Sequence, residues 1–387
     1  MWFFNSPQIV FGEGALTHLA QIRGARAYII ADPQMTTFGF VERVRAQLAE
    51  ANIETRVFDQ VEAEPSLATV RHGAALLREF EPDWIVGLGG GSPIDAAKAM
   101  WALYERPDLA PDGISPLEYL GLGKKARLIT ISTTSGTGAE VTWGIVLTDP
   151  NEKRKLGVGS RETLATLAIV DPQFVMQMPP RLTADTGLDA LTHAIEGYAA
   201  NWHNDFADGL CLKAVDLVFN FLPRAYANGD DAEAREKMHN AAAIAGLGFI
   251  NSMCTLAHAM GHALGGAFHV PHGRCVSLFL PYTMEFAANA GNYRYADLAR
   301  FIGLVAPDEA RATRNLIAAV RDLETQLGSN TSIASLGIAR ADFAAALETL
   351  CDHAENDTQI VAAPRQPDRA ELRRLFECAF AGQPVTF

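Results

Sequence analysis

Short, continuously apolar runs alternate with amphipathic stretches through the first half of the chain. AYIIAD (27–32) reads as a buried strand, and FVERVRAQLAEANI (40–53) as a helix with Val41, Val44, Leu48 and Ile53 along one side. TRVFD (55–59) follows as a strand and SLATVRHGAALLREF (66–80) as a helix. DWIVGLGGGS (83–92) is a strand running into a glycine turn, IDAAKAMWALY (94–104) a helix and RLITISTT (127–134) another buried strand. Apolar strands alternating with helices predict an α/β domain with a mostly parallel, doubly wound sheet.

After LAIVDP (167–172) the texture changes. Helical patterns take over at 184–200, 206–226, 231–250, 252–266, 275–290, 293–302, 309–326, 340–353 and 368–381. Pro179-Pro180 cannot lie inside a helix, so the domain border is expected near 180. The expectation is an α/β domain over 1–180 and an all-helical domain over 181–387, with a ligand held in the cleft they form. No internal repeat or low-complexity tract is visible.

Composition narrows the class. The 387 residues are 49% hydrophobic and 20% charged, a globular balance that calls for two domains. A net charge of -13 argues against a nucleic-acid partner, which requires a basic footprint. Cys211, Cys254, Cys275, Cys351 and Cys378 are scattered and never spaced as CxxC, which fits buried hydrophobes in a reducing cytoplasm. The opening MWFFNSPQIVFGEGAL has no basic stretch ahead of an apolar core, and no apolar run approaches a membrane span. A soluble cytoplasmic protein without a membrane partner is expected.

In IVGLGGGSPIDAAK a strand enters Gly89, Gly90 and Gly91, and Ser92 and Pro93 suit the N-cap and first position of a helix. Glycines let backbone approach a ligand, and the first helical turn offers free N–H groups to a pyrophosphate. A plain glycine turn capping a helix explains this stretch about as well. The Rossmann fingerprint is absent, since Ser92 takes the place of its last glycine, and no Walker lysine follows. A second polar turn, Thr133-Thr134-Ser135-Gly136-Thr137-Gly138, follows the next strand. Two such turns at the carboxyl ends of strands are where open α/β sheets bind ligands, which favours a dinucleotide.

Seven of ten histidines lie between 193 and 272. Asp189 and His193 share a helix face at i and i+4, as do His258 and His262, and His272 follows on a Pro271/Gly273 turn. A carboxylate and three imidazoles would complete a set for one divalent cation, and this O/N mixture suits iron(II) or zinc. His18, His72, His203, His239 and His353 have no such spacing and read as structural; His269 lies near the cluster without a helical partner.

SPQIVFGEGAL, GGGSPIDAAK, TTSGTGAEVT, TGLDALTHAIEGY and HAMGHALGGAFHVPHG together resemble the iron-containing (group III) alcohol dehydrogenases. That family includes lactaldehyde reductases, 1,3-propanediol dehydrogenases and butanol dehydrogenases. The resemblance implies a dehydroquinate synthase-like architecture and hydride transfer between NAD(H) and a small primary alcohol or aldehyde. By motif match, Asp189, His193, His258 and His272 would be the ligands of one divalent metal, iron(II) ahead of zinc. The metal would polarise the substrate oxygen, with His262 unbound and relaying the proton. Gly89, Gly90, Gly91, Ser92, Pro93 and Asp95, with Thr133, Thr134, Ser135 and Thr137, would hold the pyrophosphate and nicotinamide. Asp32 would meet the adenine ribose and select NAD over NADP, and Thr142 and Lys155 would line the cofactor. Asp32 beginning an Asp-Pro turn is the plainer alternative.

Gly144 stands where some relatives carry asparagine, Cys275-Val276 replaces an Asn-Ala, and VAAPRQP replaces a stretch with Asn-Pro-Arg. These departures bear on the substrate. Phe249, Leu256, Phe268 and Trp143 near the motifs favour an apolar-tailed alcohol. A homodimer or higher homo-oligomer is expected. Rival readings are a glycerol-dehydrogenase-like polyol oxidoreductase, a maleylacetate-reductase-like enzyme, a dehydroquinate-synthase-like cyclase and a non-catalytic nucleotide- or metal-binding protein. The full Asp/His set opposes the maleylacetate-reductase-like enzyme. The cyclase would need a cluster of phosphate-clamping cations where Arg274 stands alone. Retention of His262 opposes a non-catalytic role.

Overall fold

The computed structural model describes residues 3–149 and 154–387. The chain divides into two compact units, Met1–Gln177 and Met178–Phe387.

In the first unit the strands are β1 (Gln8–Phe11), β2 (Arg26–Ala31), β3 (Glu54–Phe58), β4 (Trp84–Gly89), β5 (Arg127–Ser132), β6 (Gly144–Asp149), β7 (Arg154–Gly159) and β8 (Leu167–Val170). Its helices are α1 (Pro33–Thr37), α2 (Phe40–Glu50), α3 (Leu67–Phe80) and α4 (Gly91–Glu105). Six strands form one parallel sheet in the order β1-β8-β5-β4-β2-β3, and β6 and β7 form a separate antiparallel pair. The central strands β2, β4 and β5 are buried along nearly their whole length because both sheet faces are covered. Along β2, Ala27, Ile29 and Ala31 pack with α2 residues Val41, Val44 and Leu48. Tyr28 and Ile30 point the other way, to Val70 and Leu77 of α3 and Met100 of α4. Short edge strand β1 and the β6–β7 pair are elements that the hydrophobic pattern does not announce.

One local expectation is corrected. Helix α4 begins at Gly91 with Gly90 as its cap, two residues ahead of the Ser92/Pro93 start that the sequence suggests. Ser92 Oγ donates instead to the Ala63 carbonyl at 2.5 Å. The N-terminal turn of α4 consequently has no side-chain cap.

The second unit is helical: α5 (Pro180–Ala199), α6 (Asp205–Ala227), α7 (Ala232–Ile250), α8 (Leu256–Phe268), α9 (His272–Asn289), α10 (Tyr295–Phe301), α11 (Glu309–Gln326), α12 (Arg340–Glu355) and α13 (Arg369–Ala381). Its core joins α5 residues Leu188, Leu191 and Ile195 with Val215 and Val218 of α6 and Leu278 and Phe279 of α9. Small residues set the close approaches. A Cβ on Gly261 of α8 would lie 2.7 Å from Val276 Cγ1 of α9.

Three helix starts differ from the pattern in the sequence. Helix α5 begins at Pro180 and not at 184, because a proline is tolerated at the first helical position. Helix α8 begins at Leu256 and not at 252, because Met253 adopts φ 121° and Thr255, at φ -137° and ψ -138°, is not helical. Helix α9 begins at His272, which puts that histidine in the first turn, not on a preceding loop.

Candidate metal centre and nucleotide turn

In the helical unit, α5 carries Asp189 and His193, α8 carries His258 and His262, and α9 starts on His272. The Nε2 atoms of His193, His258 and His272 lie 3.8, 3.9 and 3.5 Å from Asp189 Oδ1. Those four side chains offer one ligand atom each, all within 4.8 Å of one another. Metal–ligand bonds of about 2.0–2.2 Å would place tetrahedral neighbours about 3.4 Å apart, so the cluster is close to the size that a first-row divalent ion requires.

Asp189 Oδ1 and His258 Nε2 are buried and have no hydrogen-bond partner. Uncompensated burial of a carboxylate and an imidazole is costly, and a shared cation satisfies both. Burial pushes the Asp189 carboxyl up to about 7, with Glu196 adding to the rise and His258 opposing it. The donor set and the orphaned atoms therefore fit a divalent cation.

A carboxylate that the sequence reading did not single out supports this cluster. Glu196 lies one turn beyond His193 on α5, 3% exposed. Its Oε2 is 2.5 Å from His258 Nδ1, while Oε1 accepts from Thr255 Oγ1 and Ala257 N, each at 2.6 Å. Burial alone would raise Glu196, but His258 and Thr255 outweigh it and hold the carboxyl below its usual value. Burial alone would likewise lower His258; Glu196 and Asp189 reverse that and raise its affinity for a proton. The same carboxylates raise its affinity for a cation, and they fix Nε2 as the ligand atom. Asp189, His193 and Glu196 fall at spacings of four and three, so one face of α5 carried the signal.

His262 stands beside the cluster. Its ring is 5.3 Å from that of His272 and 5.9 Å from that of His258, and its Nδ1 is 2.7 Å from Asp357 Oδ2. Burial would raise Asp357, but the hydrogen bond and charge of His262 hold it below the usual carboxylate range. Phe249 of α7 stacks on His193 at 4.3 Å. Leu256 belongs to the helical core and Phe268 packs against it. His239 is buried in α7 with its pKa pushed down to about 4 by burial, as suits a neutral core residue. Arg274, beside His272, is held by Asp185 at 2.7 Å.

In the α/β unit, Gly89 has φ 145°, and a Cβ there would lie 2.6 Å from Pro93 Cγ. Only glycine fits. The two polar turns are adjacent: Cβ atoms on Gly90 and Gly91 would meet Thr134 at 3.3 Å and Thr137 at 3.2 Å. Thr134 Oγ1 is buried without a hydrogen-bond partner, and Thr133 N donates to the Gly89 carbonyl. An uncapped helix start, a side-chain-free turn and an orphaned hydroxyl suit a phosphate-bearing ligand. Ser135 is buried in the second turn, and Thr137 Oγ1 accepts from Ala139 N.

Asp32 Oδ1 caps α1 by accepting from Gln34 N and Met35 N, while Oδ2 lies 3.4 Å from where a Gly89 Cβ would be. Burial raises its pKa against these two hydrogen bonds. Asp95 and Thr142 are drawn into a buried framework. Asp95 Oδ2 accepts from Val146 N at 2.9 Å, and Lys98 Nζ donates to the Gly144 carbonyl at 2.9 Å and reaches Thr142 Oγ1 at 3.5 Å. Lys155 pairs with Glu64 at 2.9 Å. Trp143 lies in this unit, against the backbone of Gly159.

A parallel α/β nucleotide-type domain joined in sequence to a helical unit with an Asp/His₃ cluster defines a metal-dependent, nicotinamide-linked oxidoreductase. The chain belongs to the iron-containing alcohol dehydrogenase family: residues 6–172 match the iron-containing alcohol dehydrogenase domain, and residues 183–380 match the family's C-terminal domain. It is 38% identical over 390 residues to an NADPH-dependent butanol dehydrogenase of Clostridium saccharobutylicum, covering 100% of both chains. It is 37% identical to the bifunctional aldehyde-alcohol dehydrogenase of Escherichia coli, of which the match covers 46%. The crystal structure of a 1,3-propanediol oxidoreductase superposes with a TM-score of 0.91 at 31% identity, covering 98% of this chain and 100% of that one. The activity is therefore oxidoreduction between alcohols and aldehydes with a nicotinamide cofactor and an iron-type metal site.

Proposed function

We propose that the protein interconverts a small primary alcohol and its aldehyde with NAD(H), using one divalent cation held by Asp189, His193, His258 and His272. The observation that carries the ligand set is the convergence of three imidazole Nε2 atoms on an orphaned, buried Asp189 Oδ1. The metal, iron(II) ahead of zinc, supplies Lewis-acid polarisation of the substrate oxygen, and the nicotinamide accepts or gives the hydride. Glu196 orients His258, and Phe249 packs an apolar face on His193. His262, partly exposed and outside the ligand set, moves the hydroxyl proton. The engagement of Arg274 by Asp185 disfavours a phosphate-clamping cyclase.

Gly89 to Pro93 and Thr133 to Thr137 form the pyrophosphate and nicotinamide turn, with residues 1–180 as the cofactor domain and 181–387 as the metal domain. Asp95, Thr142 and Lys155 shape this cofactor site; the first two support the backbone through Val146 and Lys98. For NAD over NADP, Asp32 keeps Oδ2 clear of its cap, directed to the glycine turn, where it would accept from ribose hydroxyls and repel an added phosphate. The Clostridium relative is named as NADPH-dependent, so this preference is a sharp point of difference. Free cysteines support a cytoplasmic setting. Among the described residues no helix is long and apolar enough to cross a membrane. Exposed Phe11 on edge strand β1 supports a homo-oligomer.

The test is kcat/KM for NADH and NADPH with short linear aldehydes, for the wild-type protein and Asp32→Gly. NADH should be preferred, and the variant should move towards NADPH. A wild type that prefers NADPH, or a variant with unmoved preference, refutes the reading of Asp32; failure to reduce any aldehyde with either cofactor refutes the substrate class.

A further inference from the structure

His262 makes its Nδ1 contact with a residue 95 positions away, Asp357, which follows α12. The pair lies in the second unit, and its two side chains are 19% and 17% exposed. Asp357 divides its oxygens. Oδ2 faces His262 Nδ1 at 2.7 Å, and Oδ1 accepts the backbone N–H of Gln359 at 2.8 Å, capping the short helical turn Thr358–Ala362. A carboxylate can only accept, so the imidazole must carry a hydrogen on Nδ1. In the neutral ring, Nε2 is then the bare nitrogen.

We propose that Asp357 is a positioning residue for proton transfer: it locks His262 in the Nδ1–H tautomer, so that Nε2 is the atom that exchanges a proton with the alcohol. This rests on the reading of His262 as the proton relay. In the oxidation direction the alcohol O–H proton passes to Nε2 as the carbon gives its hydride to the oxidised nicotinamide and the carbonyl forms. The imidazolium keeps its Nδ1–H on Asp357 and returns the other proton to water, for which its partial exposure provides a route. Glu196 does the corresponding work for His258, but there the nitrogen set free is a metal-ligand candidate; Asp357 sets free a nitrogen for a proton.

The division of oxygens allows a near-isosteric test. In Asp357→Asn, the Gln359 N–H still needs an acceptor, which commits the amide oxygen to the cap. The amide NH₂ must then face His262, and it can pair only with a bare Nδ1, which moves the ring hydrogen to Nε2. The cap survives and the tautomer inverts. In Asp357→Ser the hydroxyl still caps but is too short to reach His262, so both tautomers should coexist.

The experiment uses zinc-loaded full-length protein with ¹⁵N-labelled histidine. The His262 signals are assigned by their loss in His262→Gln, and zinc content, melting temperature and kcat are measured alongside. The wild type should show the Nδ1–H tautomer and Asp357→Asn the Nε2–H tautomer. Zinc content and melting temperature should stay unchanged while kcat falls by about 100-fold or more, the scale of general acid–base catalysis. Asp357→Ser should fall between them. A wild-type Nε2–H tautomer, or the same tautomer in wild type and Asp357→Asn, would overturn the proposal. So would loss of zinc in Asp357→Asn, which would place Asp357 in the metal cluster's support. An inverted tautomer with unchanged kcat would instead remove His262 from proton transfer, the reading on which the proposal rests.

Discussion

Replacing Gly273 by alanine should cost the protein its metal before it costs the fold. Gly273 is the second residue of α9, directly after His272, and a Cβ there would lie 2.2 Å from the Asp185 carbonyl oxygen and 3.1 Å from Asp189 Cβ. The obstacle is mainly the backbone of α5, which cannot swing aside as a side chain would. To relieve the clash, α5 and α9 must part by about 1 Å, the kind of overpacking that costs about 1–3 kcal/mol. That displacement separates Asp189 from His272, whose ligand atoms are 3.5 Å apart. An error of this size in ligand placement should weaken metal binding by about 10–100-fold, comparable with losing a residue that orients a ligand. Competition against a chelator of known affinity measures this directly, with thermal melts of the metal-free proteins giving the packing term. Wild-type metal affinity in Gly273→Ala would refute the reasoning, as would a fall in affinity explained wholly by unfolding.

Other consequences concern the two histidine roles and a buried acid remote from them. His258→Ala should lose metal and turnover together, whereas His262→Ala should keep metal and lose rate; equal metal loss in both, read by elemental analysis, would contradict the assignment. Glu324 of α11 is 2% exposed, its Oε1 has no hydrogen-bond partner, and burial raises its pKa well above 4.5. A raised carboxyl binds its proton more tightly in the folded state, so its contribution is complete below the unfolded value near 4.5 and is lost as pH rises towards the folded value. Glu324→Gln should therefore flatten the fall of melting temperature as pH rises above about 4.5; parallel curves for variant and wild type would show that this acid does not titrate in the fold.

The parts legible in the sequence are those whose cause is local. Apolar strands buried on both faces read as runs, as β2 does, and helices with one buried stripe read by period, as α2 and α3 do. The Asp189/His193 and His258/His262 spacings put chemistry on helix faces that fold then brings together. What escaped is set by partners distant in sequence. Helix α8 starts late because Glu196, about sixty residues earlier, takes Thr255 Oγ1 and Ala257 N. Ser92 does not cap α4, because its hydroxyl is spent on Ala63, and the helix begins two residues earlier. Asp357 met His262 across 95 residues, with nothing near it in the chain to mark it. Asp95 matched a cofactor motif, yet its carboxylate holds the backbone of β6.

The most direct test of a metal-assisted hydride transfer is turnover of a short aldehyde with NADH by protein stripped of metal and then restored. Stripping should abolish NADH consumption, and iron(II) under anaerobic conditions should restore it in proportion to the ion bound, with one ion per chain at saturation. Full turnover in the stripped protein, or restored binding without restored turnover, would contradict the account.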